Sequence, residues 1–248
     1  MIINISQTSK ELGQNAAVYC AEVLNKAINE KGSARILLST GMSQFDTLEA
    51  LLATDVDWSK VVMFHLDEYV ELPESHPASF RKYLKERVLS KVTFKKAYLI
   101  DGEGDTSQEI AELTEAIRKA PIDLALIGIG ENAHIAFNDP PADFDTKEAF
   151  RVVTLDTKCR QQQVGEGWFA SVDDVPEQAI SMTVYQIMQS EVIVSCVPFA
   201  VKANAVKETM ENDVTNLIPA TIMKTHPNFS LYLDRDSASL WANYPAKL

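Results

Sequence analysis

What constrains this chain most is an alternation: short, β-branched apolar runs separated by stretches with helical periodicity. The runs fall at Arg35–Ser39, Lys60–Leu66, Lys96–Ile100, Ile122–Ile129, Arg151–Leu155, Val192–Val197 and Ser230–Leu233. Strands that recur with helix-length segments between them build βαβ units and a mainly parallel sheet. A first helix is expected over Lys10–Asn29, with Leu12, Ala16, Leu24 and Ile28 among its apolar positions. Thr106-Ser107-Gln108-Glu109 reads as a capping box, followed by Ile110, Leu113 and Ile117 at helical spacing. With no internal repeat, low-complexity tract or Pro/Gly/Ser linker, residues 1–248 read as a single α/β domain: an open sheet with helices on both faces.

Composition narrows the functional classes. Hydrophobic residues make up 46% of the chain, enough for a sizeable core, yet apolar runs such as Ile122–Ile129 fall far short of a membrane span. The first residues, Met1-Ile2-Ile3-Asn4-Ile5-Ser6, carry no basic segment before a long apolar stretch, so no signal peptide is expected. Three scattered cysteines (Cys20, Cys159, Cys196) offer neither a disulfide framework nor metal-ligand spacing, which fits a reduced, cytoplasmic setting. A formal charge of −12 disfavours nucleic-acid binding. Such a chain can still hold an anion, provided that it builds a local positive site.

Open parallel sheets bind ligands beyond the carboxyl ends of their strands, and four strand ends carry chemistry. Leu38-Ser39-Thr40-Gly41-Met42-Ser43-Gln44 is a strand entering a helix through small residues, where free N–H groups and hydroxyls make an anion cradle. Gly41 lets the backbone approach a phosphate closely. An ordinary turn with a serine cap would look the same. Phe64-His65-Leu66-Asp67-Glu68-Tyr69 ends a buried strand in two carboxylates. Lost hydration there raises a carboxyl pKa toward the range of a useful base, although either residue could simply cap the next turn. His65, inside the strand, reads as a packed histidine. Gly128-Ile129-Gly130-Glu131-Asn132-Ala133-His134 breaks a strand into a glycine-flanked loop with a histidine, and Asp139 could orient its ring. The four histidines show no clustered spacing, so no metal is expected. Last, Val197-Pro198-Phe199-Ala200-Val201-Lys202 places a lysine in the first turn of a helix, where it opposes the helix dipole; an anionic partner or a solvated surface lysine accounts for it.

Taken in order, these segments resemble the glucosamine-6-phosphate deaminase/isomerase family over essentially the whole chain. The pieces that carry the resemblance are Leu66-Asp67-Glu68-Tyr69-Val70 with Leu72-Pro73 and His76-Pro77, then Gly128-x-Gly130 with His134-Ile135-Ala136-Phe137-Asn138, and Pro219-Ala220-Thr221-Ile222-Met223 with His226-Pro227. The related 6-phosphogluconolactonases share the fold and a similar histidine loop. Tyr69 and Ile135-Ala136-Phe137-Asn138 favour the deaminase side.

The resemblance implies a Rossmann-like sheet of the deaminase/lactonase type and no cofactor. It implies that Asp67 moves a proton between C2 and C1 of an open-chain amino sugar and that His134 opens the pyranose ring, with Asn132 and Asp139 beside it. It implies phosphate binding by Ser39, Thr40, Gly41, Met42, Ser43 and Lys202. The expected partner is a small phosphorylated amino sugar, turned over by the chain alone or as a homo-oligomer. Four departures mark a divergent branch. Asn132-Ala133 stands for the family's Asp-Gly, and Asp139 for its glutamate. Met42 and Gln44 replace a small residue and a proline in the phosphate turn. Gln163 takes the register of a second phosphate-binding arginine, for which Arg160, one helical turn earlier, is the candidate substitute.

Overall fold

The computed structural model describes residues 1–165 and 167–241. Ten strands form among the described residues: β1 (Ile2–Ser6), β2 (Ala34–Leu38), β3 (Val61–His65), β4 (Asp67–Tyr69), β5 (Lys96–Ala97), β6 (Leu124–Leu126), β7 (Phe150–Thr154), β8 (Gln178–Met182), β9 (Ile193–Val197) and β10 (Phe229–Asp234). Between them run α1 (Ser9–Lys31), α2 (Phe45–Leu52), α3 (Phe80–Leu84), α4 (Thr106–Arg118), α5 (Thr157–Gly165), α6 (Val184–Ile187), α7 (Ala203–Glu211) and α8 (Arg235–Ala238).

Seven strands pair in the order β1-β10-β9-β6-β2-β3-β5, and every pairing in that sheet is parallel. Successive side chains of β2 serve opposite faces, as the strand period dictates. Ile36 and Leu38 join α1 and α2 in one core, while Leu37 joins Ile117 of α4 and Val206 of α7 in the other. The chain runs outward from β2 through β3 to β5, then returns to the other side of β2 with β6. That reversal opens a crevice between the carboxyl ends of β2 and β6, the position where open α/β sheets bind ligands.

Arg151–Leu155, expected in the parallel sheet, instead supplies β7 of a separate antiparallel sheet ordered β4-β8-β7. Its residues Arg151–Val153 are only half-buried and Thr154 is exposed, as in a strand covered incompletely rather than in the middle of a buried parallel sheet. The helix expected over Lys10–Asn29 extends over Ser9–Lys31, with the Thr8 hydroxyl accepting from the Glu11 N–H and Gly32 closing the last turn at φ +75°. The capping box expected at Thr106 does not form, and Thr106 is instead the first residue of α4. Asp105 is the N-cap of α4, accepting from the N–H groups of Ser107 and Gln108. Glu109 reaches back to the Asp101 N–H rather than to the cap.

Candidate active site

The site is built where the small sheet crosses the carboxyl end of the large one. Asp67 opens β4 directly after β3 and pairs in register with Ser181 of β8. The Ser181 hydroxyl accepts the N–H of Phe137, and the Asn138 amide donates to the carbonyls of Ile135 and Met182. One strand, β8, therefore fixes the aspartate and the histidine loop relative to each other. The Pro219-Ala220-Thr221 segment secures the loop from its other side through Ala220 N–H to Ala133 C=O, at 2.9 Å.

The two adjacent carboxylates have separate fates. Glu68 is fully buried and turns away from the cavity. It accepts from the Tyr69, Phe80 and Arg81 N–H groups and from the Ser79 hydroxyl, so it caps α3. Arg81 lies beside it and continues to Asp101 and Glu103. Asp67 faces a cavity of about 1020 Å³. Burial, with a smaller contribution from the neighbouring Glu68, pushes its carboxyl from the ordinary 3.8 up to about 8. His65 is packed: its Nε2 accepts the Ile100 N–H at 2.8 Å, and burial lowers its pKa to about 3.

His134 lines the same cavity, and its ring lies flat against Gly130, where an added Cβ would come within 2.2 Å of Cε1. Its Nδ1 lies 3.1 Å from Asp139 Oδ1, close enough for an ion pair but poorly aligned for a hydrogen bond. Asn132 ties the group together, its amide donating to Asp139 Oδ1 at 3.0 Å while its carbonyl oxygen accepts the His134 N–H at 3.2 Å. Burial would raise the Asp139 carboxyl, but His134 and Asn132 outweigh it and hold the carboxyl below its usual range. The other two histidines are committed to the backbone: His76 Nδ1 accepts from the Ala78 N–H, and His226 Nε2 contacts the Ser190 carbonyl. Among the described residues no cluster of His, Cys, Asp or Glu could hold a metal ion.

Ser39, Thr40, Gly41, Met42 and Ser43 line the same cavity. Gly41 has φ +105°, a conformation that favours glycine, and its carbonyl accepts from the Tyr83 hydroxyl. The 3₁₀ turn Met42–Gln44 then leads into α2, so its first N–H groups lack partners within the turn. The Ser39 hydroxyl is buried without a hydrogen-bond partner. Lys202, buried at the N-cap of α7, lines the cavity as well. The chain enters this turn through Phe199, whose φ of +82° costs a non-glycine residue about 1–3 kcal/mol and whose carbonyl accepts the Lys202 N–H.

Arg160 is not brought to this cavity. Its guanidinium donates to the Val172 carbonyl at 2.6 Å, and Gln161, Gln162 and Gln163 of the same helix provide the lining. Pro77, Phe137, Trp168 and Phe199 also line it, although the sequence marked none of them as a site residue.

A buried carboxyl, a histidine paired with a carboxylate and a glycine-containing turn thus meet at one cavity of a parallel α/β sheet. The family model described as glucosamine-6-phosphate isomerases/6-phosphogluconolactonase matches residues 7–231, and the chain belongs to that family. Glucosamine-6-phosphate deaminase of Lactobacillus delbrueckii subsp. bulgaricus is 33% identical over 244 residues, 97% of this chain and 99% of the relative. A structure of a monomeric glucosamine-6-phosphate deaminase superposes with a TM-score of 0.88 at 28% identity, covering 97% of this chain and 100% of the other. At the level of fold alone, 6-phosphogluconolactonase of Thermotoga maritima superposes with a TM-score of 0.77 at 14% identity, covering 94% and 99%. No helix among the described residues is long and apolar enough to cross a membrane.

Proposed function

We propose that the chain, acting as one domain over residues 1–248, is an aldose–ketose isomerising deaminase. It converts glucosamine 6-phosphate, or a close epimer, and water to a ketose 6-phosphate and ammonia. The observation that carries this reading is the buried Asp67 carboxyl sharing one cavity with the His134–Asp139 pair and with the Ser39–Ser43 turn.

Each group has a defined task. The phosphate rests on the turn and on Lys202, which fixes the sugar along the cavity. His134 exchanges a proton with the ring oxygen, so that the pyranose opens to the aldehyde, and Asp139 stabilises the imidazolium formed in passing. Asp67 takes the C2 proton and returns it to C1, leaving an imine at C2. Water adds to that carbon and ammonia departs. A carboxyl whose pKa lies near 8 is a stronger base once ionised, and the substrate's own ammonium favours the ionised form on arrival.

Ammonia release from a panel of amino-sugar 6-phosphates, run beside a lactone-hydrolysis assay, tests the proposal. Ammonia supports it. Hydrolysis of 6-phosphogluconolactone without ammonia makes His134 an activator of water, and binding without turnover makes the chain a sugar-phosphate binding protein.

A further inference from the structure

The head-group end of the cavity has an unusual wall. Among the described residues Lys202 is the one cation lining the cavity, which also carries Asp67 and Glu131; α5 contributes three neutral glutamines. An anion there meets little opposing charge. The same cavity is lined by three exposed large apolar residues, Met42, Phe199 and Val201, drawn from only nine such residues described for the whole molecule. Met42 belongs to the anion-binding turn, and Phe199 and Val201 flank Lys202 in the chain.

Phe199 is the informative member. Its backbone occupies a region that glycine would enter freely, and it is held there from both sides. Its N–H donates to Asp234 Oδ2 at 2.9 Å, and its carbonyl accepts the Lys202 N–H at 3.0 Å. A strained phenylalanine is expected where its side chain is repaid by burial in a core, yet this residue is 38% exposed.

We propose that Met42, Phe199 and Val201 form an apolar collar around the head-group end, with Phe199 the specificity-determining residue, which excludes water from the anion on Lys202 so that one cation suffices. This rests on the reading of the Ser39–Ser43 turn and Lys202 as the phosphate end. An ion pair at about 4 Å is worth about fourfold more near a protein surface than in bulk water, so drying the site replaces added charge. The collar also disfavours ligands whose charged group carries a bulky hydrated substituent.

Inorganic phosphate, titrated calorimetrically at low and high ionic strength into parent and Phe199→Gly protein, tests the inference. The variant should keep its melting temperature, because relief of backbone strain offsets the lost ring contacts. It should bind phosphate about tenfold more weakly and lose more of that affinity to salt, since a wetter pair is better screened. Should Phe199→Gly fail to fold, the double variant Met42→Ser/Val201→Ser leaves the backbone at 199 untouched and should show the same loss. Affinity and salt dependence equal to the parent's in a folded variant would overturn the collar alone. A parent that binds no phosphate would overturn both the collar and the phosphate end of the proposed function.

Discussion

Asn132 donates its side-chain amide to the Asp139 carboxylate oxygen that also faces His134, at 3.0 Å and 3.1 Å respectively. Asn132→Asp therefore removes a donor and sets a second carboxylate against the first. Like charges so close bind a proton more tightly, and the added anion also favours imidazolium. Both effects have the same sign: protons are retained to higher pH. The acid limb of kcat/KM should move upward by up to about one pH unit. Superimposable pH profiles for parent and variant would show that residue 132 is not coupled to the titrating group.

Asp67→Asn should lower kcat by about 10²–10⁴, the usual loss on removing a general base. It should also stabilise the protein in a pH-dependent way. The folded parent holds the Asp67 proton up to about pH 8, whereas the unfolded chain releases it near 3.8. Between those values the folded state binds more protons, so the parent loses stability as pH rises. The melting-temperature advantage of the variant should widen from about pH 4 to pH 8 and then level off. A constant difference across that range would mean that Asp67 is not a buried, raised-pKa carboxyl.

How much of this was legible before the structure depends on the element. Buried parallel strands announce themselves as apolar runs: β3, β5, β6 and β9 lie within runs read from the sequence, and β2 and β10 overlap theirs but extend beyond them by one residue at one end and at both ends, respectively. The strands not foreseen carry weaker signals. β1 is a half-exposed edge strand, β4 is only Asp-Glu-Tyr, and β8 (Gln-Ala-Ile-Ser-Met) mixes polar and apolar residues without a β-branched run. At the site, the strand-end placement of Asp67 and His134 is visible from local pattern. That Glu68 caps α3 while Asp67 faces the cavity depends on which side of β4 each presents, and so on pairing with a distant strand. Arg160 and Gln163 lie one turn apart on a short helix, and only the direction of its packing decides which reaches the cavity. Nothing in Val-Pro-Phe reveals a positive φ at Phe199.

Two glycines should separate catalytic from structural loss. A methyl group at Gly130 would come within 2.2 Å of the His134 ring, which can swing aside. Gly130→Ala should thus fold with little change in melting temperature while kcat/KM falls by about 10², the usual order for a misplaced catalytic group. At Gly102 the same methyl would come within 1.9 Å of the Tyr69 carbonyl oxygen, which belongs to the backbone. Gly102→Ala should lower the melting temperature directly. Thermal melts and steady-state kinetics on both variants check the contrast, and an active, unperturbed Gly130→Ala would detach His134 from the reaction.

A phosphorylated N-acetyl amino sugar should not activate the enzyme. The second cavity, about 560 Å³, carries Asp143 and Asp145 and no cation among its described lining residues. The nearby Arg151 is engaged by Asp143 at 2.7 Å. An anionic effector would meet net negative charge there. Rate against substrate concentration, with and without N-acetylglucosamine 6-phosphate, should give coincident hyperbolic curves; sigmoidal kinetics abolished by the effector would contradict this.

On the proposed mechanism, Asp67 and His134 isomerise and deaminate one bound amino-sugar phosphate. Ammonia release coupled to a reporter enzyme, with glucosamine 6-phosphate and its epimers as substrates, measures it most directly. One ammonia per ketose 6-phosphate is expected from at least one of these sugars, with kcat lowered by about 10²–10⁴ in Asp67→Asn. No ammonia from any of them, accompanied by hydrolysis of 6-phosphogluconolactone that survives Asp67→Asn, would contradict it.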